Sequence, residues 1–161
     1  MINTSDKIVS LETALKKRES WKKAGKKLVF TNGCFDLLHL GHVDYLEKAS
    51  QLGNRLVLGL NSDASIRRLK GEERPMVSEY ARARVMAALA FVDLVVIFGE
   101  DTPLCLIETL YPDILVKGDD YTIENIVGAE FVISRGGSVQ TVPLVPGFST
   151  TQLINKIKST C

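Results

Sequence analysis

Apolar residues in this chain fall into short runs separated by amphipathic stretches. Lys27 to Thr31, Leu56 to Leu60, Leu94 to Phe98, Ile114 to Val116 and Val139 to Val142 read as strands. The uninterrupted run Leu94-Val95-Val96-Ile97-Phe98 suits a strand covered on both faces. Between these runs the spacing changes to that of helices. Ser10 to about Lys23 places Leu11, Ala14, Leu15 and Trp21 roughly on one side. Leu40 to Leu52 turns Val43, Leu46, Ala49 and Leu52 inward, and Gly53 suits the left-handed residue that closes such a helix. A short helix is predicted over Ala64 to about Leu69. Another is capped by Ser78 and runs to about Phe91, and a third opens on Thr102 and Pro103. Ile126 to Ser134 is a weak helix closed by Gly136-Gly137, and Ser149 or Thr150 begins the last, Leu153 to Lys158.

Repeated strand–helix alternation with buried strands predicts an α/β chain. The expected architecture is a Rossmann-like, doubly wound parallel sheet of five strands with helices on both faces. Residues 1–26 form a helical extension packing on the same domain as 27–161, and no repeat or linker divides the chain. Ligands of such sheets sit at the carboxyl ends of the strands, where the polar clusters of this sequence fall.

Composition narrows the function classes. Twenty basic and 19 acidic residues nearly cancel and are mixed along the chain, so no basic stripe argues for nucleic acid. The longest apolar run is too short to span a bilayer, and the polar Met1 to Lys7 lacks the core of a signal peptide. Cys34, Cys105 and Cys161 have no metal-ligand spacing, which suits a reduced, cytoplasmic protein.

The chemistry concentrates in four places. His39 and His42, the only histidines, lie three apart on one face of a helix start, after a strand and a Gly33 turn. A helix start offers unpaired N–H groups and a positive dipole end, a place for phosphate. Two capping histidines or half a zinc site is the plain alternative. Zinc needs a third and usually a fourth ligand, and no further His or paired Cys exists, so no metal ligand set is assigned. The imidazoles can donate to a phosphoryl oxygen as charge builds there, and Gly41 lets a phosphate approach the backbone. Second, Ser149-Thr150-Thr151 presents three hydroxyls where one suffices as a cap, which makes a second anion site. Third, Lys117 at a strand end can hold phosphate as a point charge, and Asp120 can accept from sugar hydroxyls or orient a basic partner. Fourth, Arg67, Arg68, Lys70, Arg74 and Arg82 read first as a solvated charged face. The Gly/Pro-punctuated loop Lys70 to Pro75, however, is typical of a mobile lid. Lys70 and Arg82 weigh above Arg67 and Arg68, and Arg82 is expected to point into the cleft. Asn61-Ser62-Asp63 is either an Asx-type cap or a substrate contact, and Cys34 reads as a packing residue in its loop.

Thr31-Asn32-Gly33-Cys34-Phe35-Asp36-Leu37-Leu38-His39-Leu40-Gly41-His42 resembles the signature of the cytidylyltransferase-like nucleotidyltransferases, a HIGH-type fold. So do Lys117-Gly118-Asp119-Asp120-Tyr121 and Ser149-Thr150-Thr151. Within that superfamily the likeness is strongest to the heptose 1-phosphate adenylyltransferase group. Asn61-Ser62-Asp63-Ala64-Ser65, Arg68-Leu69-Lys70-Gly71, Arg74-Pro75, Asp101-Thr102-Pro103 and Pro112 to Gly118 carry it.

The resemblance implies catalytic roles for His39, His42, Lys70 and Arg82. It implies nucleotide contacts from Thr31, Asn32, Gly33, Cys34, Phe35, Asp36, Gly41, Lys117, Gly118, Asp120, Ser149, Thr150 and Thr151. Asn61, Asp63, Arg74 and Tyr121 are the substrate contacts it suggests. It implies ATP as substrate with Mg²⁺ bridging its phosphates, and a homodimer. The implied reaction joins AMP to D-glycero-β-D-manno-heptose 1-phosphate, giving ADP-heptose and pyrophosphate for lipopolysaccharide core or related precursors. Many bacterial members are fused behind a sugar kinase, so a separate kinase is expected upstream. Glycerol-3-phosphate cytidylyltransferases carry an Arg-Thr pair where Leu144 and Val145 stand here, and Tyr80 stands where a glutamate usually precedes the helix arginine by two. The alternatives are a cytidylyltransferase for a small phosphorylated alcohol and a nucleotide-binding regulatory module without turnover.

Overall fold

The computed structural model describes residues 3–160, so the reading of Cys161 lies outside the described residues. Five parallel strands form one sheet: β1 (Leu28–Gly33), β2 (Arg55–Asn61), β3 (Leu94–Phe98), β4 (Ile114–Gly118) and β5 (Ser138–Val142). Their order is β3-β2-β1-β4-β5. The chain therefore winds outward from β1 in one direction and returns past it to build the other half. The order switches between β1 and β4. Among the described residues seven α-helices accompany the sheet: α1 (Leu11–Lys23), α2 (Leu40–Ser50), α3 (Asp63–Lys70), α4 (Glu79–Ala88), α5 (Leu104–Leu110), α6 (Ala129–Ser134) and α7 (Thr150–Thr160). This is the expected doubly wound α/β fold. No helix among the described residues is long and apolar enough to cross a membrane.

Alternation along each strand divides the core into two layers. Val29, Leu56, Leu58, Leu60, Val95, Ile114 and Val116 point to one face, where α2 lays Leu46 and Ala49 and α4 lays Ala83, Met86 and Ala87. Leu28, Phe30, Val57, Val96 and Leu115 point to the other, against Ala14 of α1, Leu106, Ile107 and Leu110 of α5, and Val132 of α6. The continuous apolar runs are thus the sequence of strands buried on both sides. Helix α7 differs from these, because none of its residues is buried.

The N-terminal segment is tied to this core. Ile8 makes a parallel bridge with Val95, and the Val9 N–H donates to the Val95 carbonyl at 3.0 Å, which covers the β3 edge of the sheet. Arg18 of α1 is almost wholly buried and reaches the Leu110 and Tyr111 carbonyls and the Asp113 carboxylate.

Several boundaries differ from the sequence expectation. Helix α2 ends at Ser50 with Gln51 as its right-handed cap, and Gly53 is not left-handed. Gly53 is small for another reason: a Cβ there would lie 2.6 Å from a Val29 methyl. Helix α4 stops at Ala88 rather than near Phe91. Pro103, not Thr102, is the N-cap of α5. Helix α6 starts only at Ala129, because Gly128 before it takes φ 85°.

Candidate active site

At the carboxyl ends of β1 and β4, on the switch point, the chain leaves a cleft of about 660 Å³. The end of β1 contributes Asn32 and Gly33, the loop after it Cys34, Phe35 and Asp36, and the start of α2, with its N-cap His39, contributes Gly41 and His42. Asn61, Lys70 and Arg74 line one side, while Lys117, Gly118, Asp120, Tyr121, Ser149, Thr150 and Thr151 line the other. Three expected residues, Thr31, Asp63 and Arg82, are not in the lining.

The histidine pair forms the floor. The two rings stack with centroids 3.7 Å apart, and the Phe35 ring meets His42 edge-on at 5.1 Å. Phe35 adopts φ 43°, a left-handed conformation unusual for a bulky residue. Its ring lies over Gly33, where a Cβ would be 2.7 Å from the ring edge. The local backbone thus spends conformational freedom to set a wall beside His42. Burial, and then the neighbouring His39, push the His42 pKa down to about 4, and burial also lowers that of His39. Both imidazoles are therefore uncharged donors and acceptors at neutral pH. Among the described residues their Nδ1 atoms are buried without a hydrogen-bond partner, as is the Asn32 side-chain oxygen. Buried polar atoms are nearly always paired, so three orphans in one cleft mark a place for a ligand. Gly41 serves a different close approach from the one expected. A Cβ there would lie 3.0 Å from His39 Nδ1 and 3.2 Å from the Phe148 carbonyl oxygen, so protein atoms fill that space.

Arg82 is a correction. It does not line the cleft; it is 1 % exposed and its guanidinium makes four hydrogen bonds to protein acceptors. Nε donates to the Val77 carbonyl at 2.9 Å and Nη1 to the Cys34 carbonyl at 2.6 Å. Nη2 donates to the Asn61 carbonyl and to Asp63 Oδ1. Arg82 thus ties the histidine loop, the end of β2 and the start of α4 together, with four of its five N–H groups turned to protein acceptors. Asp63 is corrected with it, being the partner of this pair rather than a substrate contact. Thr31 is also corrected. It is fully buried, and its hydroxyl bonds the Tyr45 hydroxyl at 2.7 Å, which in turn donates to the Val116 carbonyl.

Asp36 and the lid need a similar revision. Asp36 lines the cleft, yet its carboxylate accepts from Arg74 Nε at 2.8 Å and from the Met76 and Val77 N–H groups. Burial works against its ionisation, but these donors outweigh it and hold its pKa below the usual carboxylate value. Its oxygens are committed to pinning the second half of the loop, so the expected mobile lid shrinks to the exposed Gly71, Glu72 and Glu73. Arg74 is held to Asp36 through Nε and lines the cleft together with the exposed Lys70. Glu79 accepts from the Asp63 N–H and so caps α3, the structural use of the carboxylate beside Tyr80.

On the far side, Lys117 donates from Nζ to the Asn32 carbonyl at 3.1 Å and lies 5.5 Å from the Tyr121 ring centroid. Burial lowers its pKa to about 8, which leaves it mainly charged at neutral pH. Burial also pushes the Cys34 thiol up, in keeping with a packing residue rather than a thiolate nucleophile. Ser149 caps α7, its hydroxyl accepting from the Gln152 N–H at 3.1 Å, while Thr150 and Thr151 line the cleft beside it. Sequence reasoning missed Val127, Leu144, Val145 and Phe148 as wall residues, and Tyr45 as a brace. All four are apolar residues in loops; Val127 and Phe148 match no motif, and Leu144 and Val145 mark a position where a related group carries Arg-Thr without showing that they form a wall. Tyr45 has the spacing of an ordinary core position.

A sequence profile described as cytidylyltransferase-like matches residues 30–160. The chain is 60% identical over 153 residues to the bifunctional protein HldE of Geotalea uraniireducens, covering 95% of this chain and 31% of that protein. It is 63% identical over 139 residues to the bifunctional protein HldE of Geobacter metallireducens, covering 86% and 28%. The chain thus spans about three tenths of the length of these curated relatives. Among solved structures, the lipopolysaccharide core biosynthesis protein of Thermoplasma volcanium superposes with a TM-score of 0.60 at 30% identity, over 75% of this chain and 98% of that one. Pantoate-β-alanine ligase of Francisella tularensis, at TM-score 0.57 and 13% identity over 94% and 77%, shares the fold.

Proposed function

The chain belongs to the cytidylyltransferase-like family, and from that premise we propose that it is a nucleotidyltransferase joining the AMP part of ATP to a sugar 1-phosphate, D-glycero-β-D-manno-heptose 1-phosphate, for lipopolysaccharide core or related heptose precursors. The observation that carries the reading is the stacked, uncharged pair His39 and His42, its buried Nδ1 atoms unpartnered, at the start of α2. The likeness to the protein from Thermoplasma and the resemblance to the heptose group support the choice of acceptor.

On this reading the cleft has two halves, one on each side of β1. The histidines sit over β1 in the middle. The β4 and β5 side, with Lys117 and the start of α7, takes the triphosphate, and the β2 and β3 side, with Lys70 and Arg74, takes the acceptor phosphate. An acceptor phosphate oxygen forms a new bond to the α-phosphorus as the bond to the β-phosphate oxygen breaks. Pyrophosphate leaves with that electron pair. No proton or covalent enzyme intermediate is required. Positioning and charge stabilisation suffice for this class of reaction. Neutral imidazoles donate to oxygens where negative charge grows, Lys70 and Arg74 hold the two reacting phosphates together, and Lys117 balances the nucleotide.

No three His, Cys, Asp or Glu side chains among the described residues converge to cage a metal. Mg²⁺, which the family resemblance implies, would add charge neutralisation at the triphosphate beside Lys117, and Asp120 is the carboxylate on that side that could help hold it. The reading also carries a homodimer and a kinase-class reaction that supplies the 1-phosphate. Pyrophosphate release, measured with ATP and CTP against heptose 1-phosphate and glycerol 3-phosphate, tests it. ATP with the heptose is expected to react fastest. Preference for CTP with glycerol 3-phosphate would replace the reading by the small-alcohol alternative, and nucleotide binding without release on any acceptor would leave a regulatory module.

A further inference from the structure

Asp101 and Thr102 follow β3 by three and four residues, and both line the cleft on its β2 and β3 side. No role in phosphate chemistry accounts for a carboxylate in a cleft whose other charged residues on that side, Lys70 and Arg74, are basic. Its holding is specific. Arg68 Nε donates to Asp101 Oδ1 at 2.7 Å, and Arg68 Nη2 donates to the Gly99 carbonyl. This pair is largely exposed, the two side chains retaining 49 % and 69 % of their accessibility, and such pairs add little stability. What the pair does provide is orientation. The guanidinium bridges the end of α3 to the β3–α5 loop and fixes one carboxylate oxygen. A carboxylate has lone pairs for about four donors, so the other oxygen remains open.

We propose that Asp101, with Thr102 beside it, is the specificity element that reads the hydroxyl groups of the acceptor sugar, and that Arg68 is the positioning residue that aims it. The assignment rests on the sugar 1-phosphate reading above. A carboxylate can accept from hydroxyls but repels phosphate. It therefore orients a phosphorylated polyol with its phosphate toward Lys70 and Arg74 and its hydroxyl-bearing carbons toward β3. Thr102 can both donate and accept, which suits a hydroxyl neighbouring the one that Asp101 takes. Asn61, at the end of β2, lines the same side.

The test uses the full chain and pyrophosphate release. Asp101→Ala and Thr102→Val are assayed with ATP and heptose 1-phosphate, and ATP affinity is measured separately by calorimetry. Loss of a hydrogen bond to a charged group predicts that Asp101→Ala raises the acceptor KM about tenfold or more, with the ATP Kd within about twofold. Thr102→Val and Arg68→Ala should give smaller KM increases, and Arg68→Lys should recover part of the loss. A purely structural role would move ATP affinity and acceptor KM together. An Asp101→Ala enzyme with wild-type KM for the heptose removes this proposal and leaves the acceptor reading standing. A wild-type enzyme that turns over glycerol 3-phosphate and not the heptose removes both.

Discussion

The cleft is built on two helix starts that present similar dipoles and very different surroundings. The start of α2 carries His39 and His42 on a helix anchored in the core through Tyr45, Leu46 and Ala49. Its loop is clamped by Arg82 from below and wedged by Phe35 from the side. The start of α7 carries Ser149, Thr150 and Thr151 on a helix without a buried residue. An eleven-residue helix is marginal by itself in water, so α7 depends on its cap and its contacts. The difference separates two jobs that share one electrostatic device. Groups that stabilise a transition state must be in place before the reaction, because reorganising them would cost the energy they are meant to supply. Groups that grip the nucleotide can adapt to it. The rigid start suits chemistry and the loose start suits binding.

The largest expected effect comes from releasing the clamp. Arg82→Ala strands Asp63 and three carbonyls, and removal of one partner from a buried pair costs roughly 3–5 kcal/mol. Chemical denaturation should show that loss. A variant of unchanged stability would mean that the histidine loop is no more firmly held than α7. The next effect concerns charge. The folded His42 pKa of about 4 lies below its unfolded value, near the ordinary 6.5. The stability this group contributes is therefore complete above pH 6.5 and is lost as pH falls toward 4. In the nucleotide-free protein, ring resonances should show no His42 titration between pH 7 and 5.5. A midpoint near 6.5 would contradict the buried, preorganised floor. The smallest effect is at the loose end. Ser149→Ala removes the cap acceptor of Gln152 and should lower stability by about 1 kcal/mol or less. A much larger loss would show α7 to be as integrated as α2.

Much of this was legible in the sequence, for identifiable reasons. The strands announce themselves because both their faces are buried, and the clusters at their ends are chemically distinctive. His39, His42, Lys117 and Thr150 therefore meet in one cleft as the alternation predicts. Sequence spacing places Arg82 at the right end of α4 but does not say which way the guanidinium turns. It turns inward, where four acceptors await it. Asp36 looked like a ligand contact in a signature loop, yet the N–H groups it holds lie forty residues away at Met76 and Val77. Thr31 is one position too early on β1 to reach the cleft, and Tyr45 has its hydroxyl. Such long-range hydrogen bonds leave no periodicity in the chain. The apolar walls at Val127 and Phe148 are hidden in the sequence because an exposed apolar residue in a loop resembles many others until the fold brings it beside a site.

The division of labour between the two helix starts is tested most directly by comparing His42→Ala and Thr150→Ala in one experiment that measures ATP Kd and kcat separately. His42→Ala should lose about a hundred- to a thousandfold in kcat and keep ATP affinity within a few fold. Thr150→Ala should weaken ATP binding several-fold, by about 1 kcal/mol, and keep most of its kcat. If both variants lost the same quantity, or if His42→Ala turned over at the wild-type rate, the rigid start would not be the seat of the chemistry.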